Sequence, residues 1–153
     1  MIKNLDKADC ELILKQNYIG HLGYIYKDRP YVIPITYFYK DHKIICYSGE
    51  GHKIDAMRKH APITLEVSDI TSVDHWQSIA VHGNYEEFEG SSAKALLHDF
   101  SLGIKDIILN KEHRDLNFIS EFSAKIATND MPIVFVIHIE DITGKMRRKQ
   151  SSK

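Results

Sequence analysis

The sequence lacks most of the features that would place it in a specialised class. It has only two cysteines in 153 residues, Cys10 and Cys46, and no CxxC motif. This predicts two reduced, buried thiols and argues against a redox pair or a disulfide framework. No apolar run approaches the roughly 20 residues of a membrane-spanning helix, and the N-terminus has no apolar secretory core. We therefore expect a cytoplasmic protein that binds no membrane.

An excess of charge of either sign is also missing. The net charge is −1 and the pI is near 6.7, so a broad basic field for nucleic acid is not expected. Hydrophobic residues make up 43% of the chain, which is typical of a globular protein. This length predicts a single domain over residues 1–153, in which the basic segment 145–153 is a frayed tail.

What the sequence does contain is a series of short segments rich in β-branched and aromatic residues, each bounded by turn residues. Short helical segments between them do not give the regular alternation of a parallel sheet. The pattern predicts a mainly β protein of the α+β class, with antiparallel strands closing into a small barrel flanked by short helices. Six strands are predicted, at 18–26, 31–39, 43–47, 63–67, 78–88 and 133–139.

Proline and glycine inside these segments predict irregular backbone. Pro34 removes a ladder donor, so its strand should be at an edge or a bulge there, with backbone groups free for a ligand. Gly20, Gly23 and Gly83 predict bulges or close backbone contacts. A further helical stretch is predicted at 118–126.

The glycine-rich loop between the third strand and the next helix is a candidate phosphate site. It reads SGEGHK, from Ser48 to Lys53. A helix start has unsatisfied N–H groups and a positive dipole end, while Lys53, His52 and Ser48 add a cation and further donors. The loop is neither a P-loop nor a GxGxxG fingerprint, so an ordinary strand-to-helix connection remains the alternative.

Other chemistry is less well supported by the sequence. Nine histidines are scattered without an HExxH motif or a close cluster, so no zinc site is predicted. Haem needs only one axial histidine and stays open. There is no GxSxG motif for a nucleophilic serine. Trp76 could be a packing anchor, or it could line a pocket or an interface.

Four segments follow one another along the chain: RPYVIPITYFY, YSGEGHKIDAMRKH, WQSIAVHGNYEEF and VIHIEDITGK. In this order they resemble the pyridoxamine 5′-phosphate oxidase-like flavoproteins, and are most similar to the branch that includes nitroimidazole-resistance proteins. The resemblance implies a split β-barrel and a homodimer with FMN in two symmetric grooves at the subunit interface.

The resemblance also implies roles for individual residues. Pro34, Ile35 and Thr36 would border the isoalloxazine ring, and Tyr47 and Ser48 would lie along the ribityl-phosphate path. His52 and Lys53 would hold the phosphate. Trp76, Gln77 and Ser78 match the segment through which the partner subunit reaches the flavin.

Several functions stay open at this point. The leading hypothesis is an FMN-dependent oxidoreductase acting on a small planar or electron-poor substrate, with NAD(P)H as a candidate donor. It would not be a true pyridoxamine 5′-phosphate oxidase, because the chain has no tryptophan after Trp76. The alternatives are a non-enzymatic module that stores or senses flavin or haem, and a scaffold that has lost its cofactor. A deazaflavin could replace FMN, and no catalytic acid or base is evident.

Overall fold

A computed structural model of the protein describes residues 1–112 and 132–149. The described elements are β1 (Ile2–Asn4), α1 (Lys7–Gln16), β2 (Ile19–Tyr26), β3 (Arg29–Lys40), β4 (Lys43–Ser48), α2 (His52–Lys59), β5 (Pro62–Ser72), β6 (His75–Phe88), α3 (Gly90–Glu112) and β7 (Ile133–Arg147). The helix predicted at 118–126 lies outside the described residues. Within them, no helix is both long and apolar enough to cross a membrane.

All the strand pairs are antiparallel, and the sheet closes on itself. The strand order is β1-β7-β4-β3-β2-β5-β6, and a further pairing of β6 with β7 completes the ring. Two-residue turns join β2 to β3 and β3 to β4, and their residues Lys27, Asp28, Asp41 and His42 have positive φ angles, as tight hairpins of the primed type require. The predicted mainly β, antiparallel split barrel is therefore confirmed.

The described sheet has seven strands where six were predicted. The added strand, β1, has three exposed residues and no alternation of apolar and polar side chains, so no pattern marks it in the sequence. It exists because residues 2–4 pair with residues 145–147 of β7. Those three β7 residues belong to the segment 145–153 that is predicted as a frayed tail, so the prediction is wrong for residues 145–147.

The core has two parts, separated by the sheet. The larger part fills the barrel, and α1 and α2 both send apolar side chains into it, among them Leu14 and Met57. The smaller part lies between α3 and the outer face of β3, β4 and β7. Both cysteines are buried and unbonded, as predicted.

The two helices that enter the barrel core lie toward opposite ends of β6. The sulfur of Cys10 on α1 lies near Gly144 of β7, which pairs with Ile79 of β6. On α2, Arg58 reaches Glu87, close to the other end of β6. The loop that precedes α2 is therefore at the end of the barrel away from α1.

Glycines allow close backbone contacts at Gly20 and Gly83, two of the three predicted positions. The pairing register of β6 with β7 shifts between His82 and Gly83, which is the bulge that Gly83 predicted. A Cβ on Gly20 would lie 2.8 Å from Leu65 Cδ1 and 2.9 Å from Glu66 O, so a side chain does not fit there. Gly23 is less constrained, since its nearest contact would be 3.7 Å.

Candidate functional site

The glycine-rich loop forms the connection between β4 and α2, as the sequence predicted. Gly51 is the N-cap of α2, and no side chain caps the helix. The N–H groups of the first turn therefore point out of the helix without a side-chain acceptor, which is the arrangement that favours a bound anion.

Ser48 is the last residue of β4 and is buried. Its hydroxyl donates a hydrogen bond of 2.9 Å to the carbonyl oxygen of Gly49. The hydroxyl hydrogen is engaged within the loop, so Ser48 would donate to an anion only after the hydroxyl turned away from Gly49 O.

His52 is held by tyrosines of the β2–β3 hairpin. Its Nδ1 is 3.1 Å from the hydroxyl oxygen of Tyr24, and burial raises the pKa of that hydroxyl. The rings of Tyr26 and Tyr31 lie 4.6 Å and 4.8 Å from the imidazole, measured between centroids. These contacts fix the imidazole while it remains exposed, and they leave Nε2 as the ring nitrogen for a ligand. No local pattern in the sequence indicates this tyrosine cluster.

Lys53 is half-buried and makes no ion pair with any residue that the structure describes. Burial raises the pKa of the Cys46 thiol, and the positive charge of Lys53 opposes that effect. The ammonium group is therefore close to the barrel interior and free to meet an anion.

An ion-pair network on α2, which the sequence analysis missed, includes the acidic residue of the loop. Arg58 donates to both carboxylate oxygens of Glu87, at 2.7 Å and 2.9 Å, and to Glu50 at 3.1 Å. Glu50 lies in the glycine loop, where its charge would repel a phosphate. Arg58 offsets part of that charge, because the same guanidinium also pairs with Glu87 and, at 3.9 Å, with Asp55.

The same network predicts an acid-sensitive contribution to stability. Hydrogen bonds from Arg58 lower the pKa of Glu87 below its ordinary value of 4.5. A lowered pKa in the folded state stabilises the fold above 4.5, and this contribution is lost as the pH falls through the folded value. We expect Glu87→Gln to be less stable than wild type at pH 7, with the difference shrinking on acidification.

Urea denaturation at pH 7 and at an acidic pH measures the free energy of unfolding of the two proteins. Glu89→Gln, at an exposed position outside the network, is the control and should match wild type at both. Parallel pH profiles of wild type and Glu87→Gln would contradict the role given to Arg58.

The predicted flavin-edge residues of β3 point to two sides of the sheet. Ile35 is buried in the barrel core, whereas Pro34 and Thr36 are on the outer face. Pro34 pairs with His21 of β2, but β4 pairs only with residues 37–40 of β3 within the described chain. The strand is therefore an edge at Pro34 on its β4 side, as predicted.

Tyr47 does not share the side of Ser48. Its ring lies 5.2 Å from that of Phe100 on α3 in an edge-to-face contact, and it packs against the smaller core. Successive residues of a strand alternate between faces, so the side chains of Tyr47 and Ser48 lie on opposite sides of β4.

A polar row connects Pro34 to the predicted partner segment across the outer face. His21 Nδ1 is 3.1 Å from Glu66 Oε1 on β5, and Ser78 on β6 donates to Glu66 Oε2 at 2.8 Å. Ser78 is therefore on the same face as Pro34, separated by two intervening strands.

The loop and the partner segment are not adjacent within one chain. Arg58 on α2 meets β6 at Glu87, nine residues beyond Ser78. At about 3.3 Å per residue this is roughly 30 Å along the strand. The structure thus brings Ser48, His52 and Lys53 together and leaves Trp76, Gln77 and Ser78 at a distance. Among the described residues, no group of three histidine, cysteine, aspartate or glutamate side chains is placed to hold a metal.

Comparison with known proteins gives a family and a set of similar folds. The family model described as pyridoxamine 5′-phosphate oxidase matches residues 6–146. A crystal structure of a FAD-binding protein from Mesorhizobium loti is 25% identical, with a TM-score of 0.72 over 95% of this chain and 98% of that one.

Two further solved structures share the fold at lower identity. A candidate 5-nitroimidazole antibiotic resistance protein from Bacteroides thetaiotaomicron is 19% identical, with a TM-score of 0.65 over 98% of this chain and 93% of that one. A FAD and heme binding protein from Mycobacterium smegmatis is 12% identical, with a TM-score of 0.74 over 99% and 76% of the two chains.

Proposed function

The chain belongs to the pyridoxamine 5′-phosphate oxidase family, and from that premise we propose that it is a flavoprotein that binds FMN at the interface of a homodimer. The similar Mesorhizobium loti protein is described as FAD-binding, which supports a flavin as the ligand. We further propose that the protein is an oxidoreductase.

The observation that carries the proposal is the convergence of donors at the start of α2. Lys53 supplies an ammonium group without an ion-pair partner among the described residues, and His52 supplies a ring nitrogen held in place by tyrosines. Uncapped N–H groups of the helix start complete the set. A phosphate monoester carries about −1.5 to −2 charges near neutral pH, and this combination matches it.

The outer face of the barrel suits the ring of the flavin. Pro34 and Thr36 border an unpaired flank of β3 where backbone groups can contact a planar ligand. Ser78 lies on the same outer face as Pro34. However, Ser78 and its neighbours Trp76 and Gln77 are roughly 30 Å along β6 from the point where α2 contacts that strand, so within one chain they do not reach the phosphate-binding loop. A second copy of the chain, placed with its β6 against the first, would supply them, which is why the proposal requires a homodimer.

In this site the protein residues bind and orient the ligand. FMN, when bound, would supply the transfer of a hydride or of single electrons to a small planar or electron-poor substrate. His52 and Lys53 hold the phosphate, Pro34 and Thr36 contact the ring, and the partner's segment at 76–78 covers it from solvent. NADH or NADPH is the proposed electron donor.

Anaerobic mixing of the flavin-loaded protein with NADH or NADPH tests the redox part of the proposal. We expect loss of the oxidised flavin absorption, and steady consumption of the reduced nicotinamide once a nitroaromatic acceptor is added. Bound flavin that neither donor reduces would contradict the oxidoreductase and favour a storage or sensing module.

Light scattering coupled to size exclusion tests the dimer. We expect the mass of two chains at micromolar concentration. A monomer in the presence of FMN would rule out a site built from two subunits.

A further inference from the structure

A cavity of about 400 Å³ at the start of β6 combines the single tryptophan of the chain with two arginines. Trp76 and Arg147 are directly opposite each other on β6 and β7. Side chains in such a pair leave the same face of the sheet, with Cβ atoms about 4.5–5.5 Å apart. The indole and the guanidinium group therefore border one space, and Arg148 lines it as well.

The cavity has positive charge available for a ligand. Neither Arg147 nor Arg148 forms an ion pair with a residue in the described ranges. Of the lining residues, Asp69 carries the only carboxylate. It accepts hydrogen bonds from Asn17 Nδ2 at 3.3 Å and from Gln77 Nε2 at 3.4 Å. The two arginines are thus uncompensated, because Asp69 pairs with Gln77 and its side chain leaves the opposite face of the sheet from Trp76 and Arg147.

We propose that this cavity binds the ADP portion of a nucleotide. Guanidinium groups match the geometry of phosphate oxygens and form charge-assisted hydrogen bonds with them. The indole offers a flat apolar face for the adenine ring. A volume near 400 Å³ is within the range of small-ligand sites.

The position of this cavity beside the flavin rests on the proposed function, whereas the binding of ADP can be tested without flavin. In the proposed dimer, Trp76 and Gln77 reach the flavin held by the partner, so the cavity lies beside the flavin. The ADP portion could then come from FAD or from a nicotinamide dinucleotide donor, since both contain it.

The fluorescence of Trp76 reports on the cavity directly, because the chain has no other tryptophan. Titrating the full chain with ADP, in the absence of flavin, should give a saturable change in emission. The absence of a saturable change in Trp76 emission on titration with ADP would overturn the proposal, whether or not the protein binds flavin.

A double variant tests which residues hold the phosphates. Arg147→Ala with Arg148→Ala should weaken ADP binding roughly tenfold or more. Lys59→Ala with Lys94→Ala removes the same charge from exposed positions elsewhere and should change the affinity little. Equal weakening in both double variants would overturn the assignment. Circular dichroism checks that each variant folds, and the wild-type titration decides independently of the variants.

Competition distinguishes the two sources of the ADP portion. If FAD supplies it, FAD should bind more tightly than FMN, and ADP should compete with FAD but not with FMN. If a dinucleotide donor supplies it, FAD and FMN should bind alike, and ADP should slow flavin reduction by NADH. If ADP gives a saturable change in Trp76 emission but affects neither FAD binding nor flavin reduction, the cavity does not lie beside the flavin.

Discussion

Replacing Lys53 by alanine should weaken FMN binding roughly ten- to hundredfold. The ammonium group is the one cation of the loop that has no carboxylate partner among the described residues, whereas Arg58 is committed to Glu87 and Glu50. Hydrogen bonds to charged groups contribute about 1.5–3 kcal/mol, and about 1.4 kcal/mol corresponds to a factor of ten in affinity. Quenching of FMN fluorescence on titration with the protein measures the change.

Lys59→Ala is the matched control for this prediction. Lys59 is exposed at the last turn of the same helix, so its removal changes the net charge equally without touching the loop. Its affinity for FMN should stay within about twofold of wild type, since exposed charges interact weakly with distant groups. If Lys53→Ala binds FMN as tightly as Lys59→Ala does, the phosphate is not at the start of α2.

Gly83→Ala should produce the largest loss of stability among the single substitutions considered. A Cβ at this position would lie 2.3 Å from the carbonyl oxygen of His138. That oxygen belongs to the backbone of β7, so it can move only if the β6–β7 ladder that closes the barrel shifts. Overpacking of this kind typically costs about 1–3 kcal/mol, and we expect the upper part of that range, seen as a melting temperature lower by roughly 4–12 °C.

Gly23→Ala tests whether the effect is specific to the bulge. Gly23 is also within a strand, but its Cβ would meet nothing closer than 3.7 Å. Alanine at such a position removes freedom from the unfolded chain, so we expect a stability equal to wild type or higher by up to about 1 kcal/mol. Equal melting temperatures for the two variants would show that the close approach at Gly83 is relaxed at little cost.

The sequence predicted the barrel because its signals are local. Alternating apolar residues, hairpin turns at Lys27–Asp28 and Asp41–His42, and the bulge at Gly83 each follow from a few neighbouring residues. β1 could not be predicted, because its three exposed residues become a strand only through pairing with the end of β7. The same pairing extends β7 through residues 145–147, which the sequence predicts to be part of a solvated tail.

The candidate site was predictable in its residue types but not in its geometry. The loop SGEGHK indicates anion binding because of its composition. The tyrosines that hold His52 lie 21–28 residues earlier in the chain, and Glu87 lies 29 residues beyond Arg58. Contacts between residues so far apart depend on how the barrel closes, which local pattern does not encode. Tyr47 differs in this respect, since strand alternation is a local rule that already places Tyr47 and Ser48 on opposite sides of β4.

Titration of the purified full chain with FMN, followed by gel filtration, tests the central proposal most directly. We expect the wild-type protein to be yellow, to elute as a dimer and to retain FMN in a fixed ratio to the chain. The Lys53→Ala variant should retain much less FMN. A colourless protein that retains no FMN and does not quench its fluorescence would contradict the account.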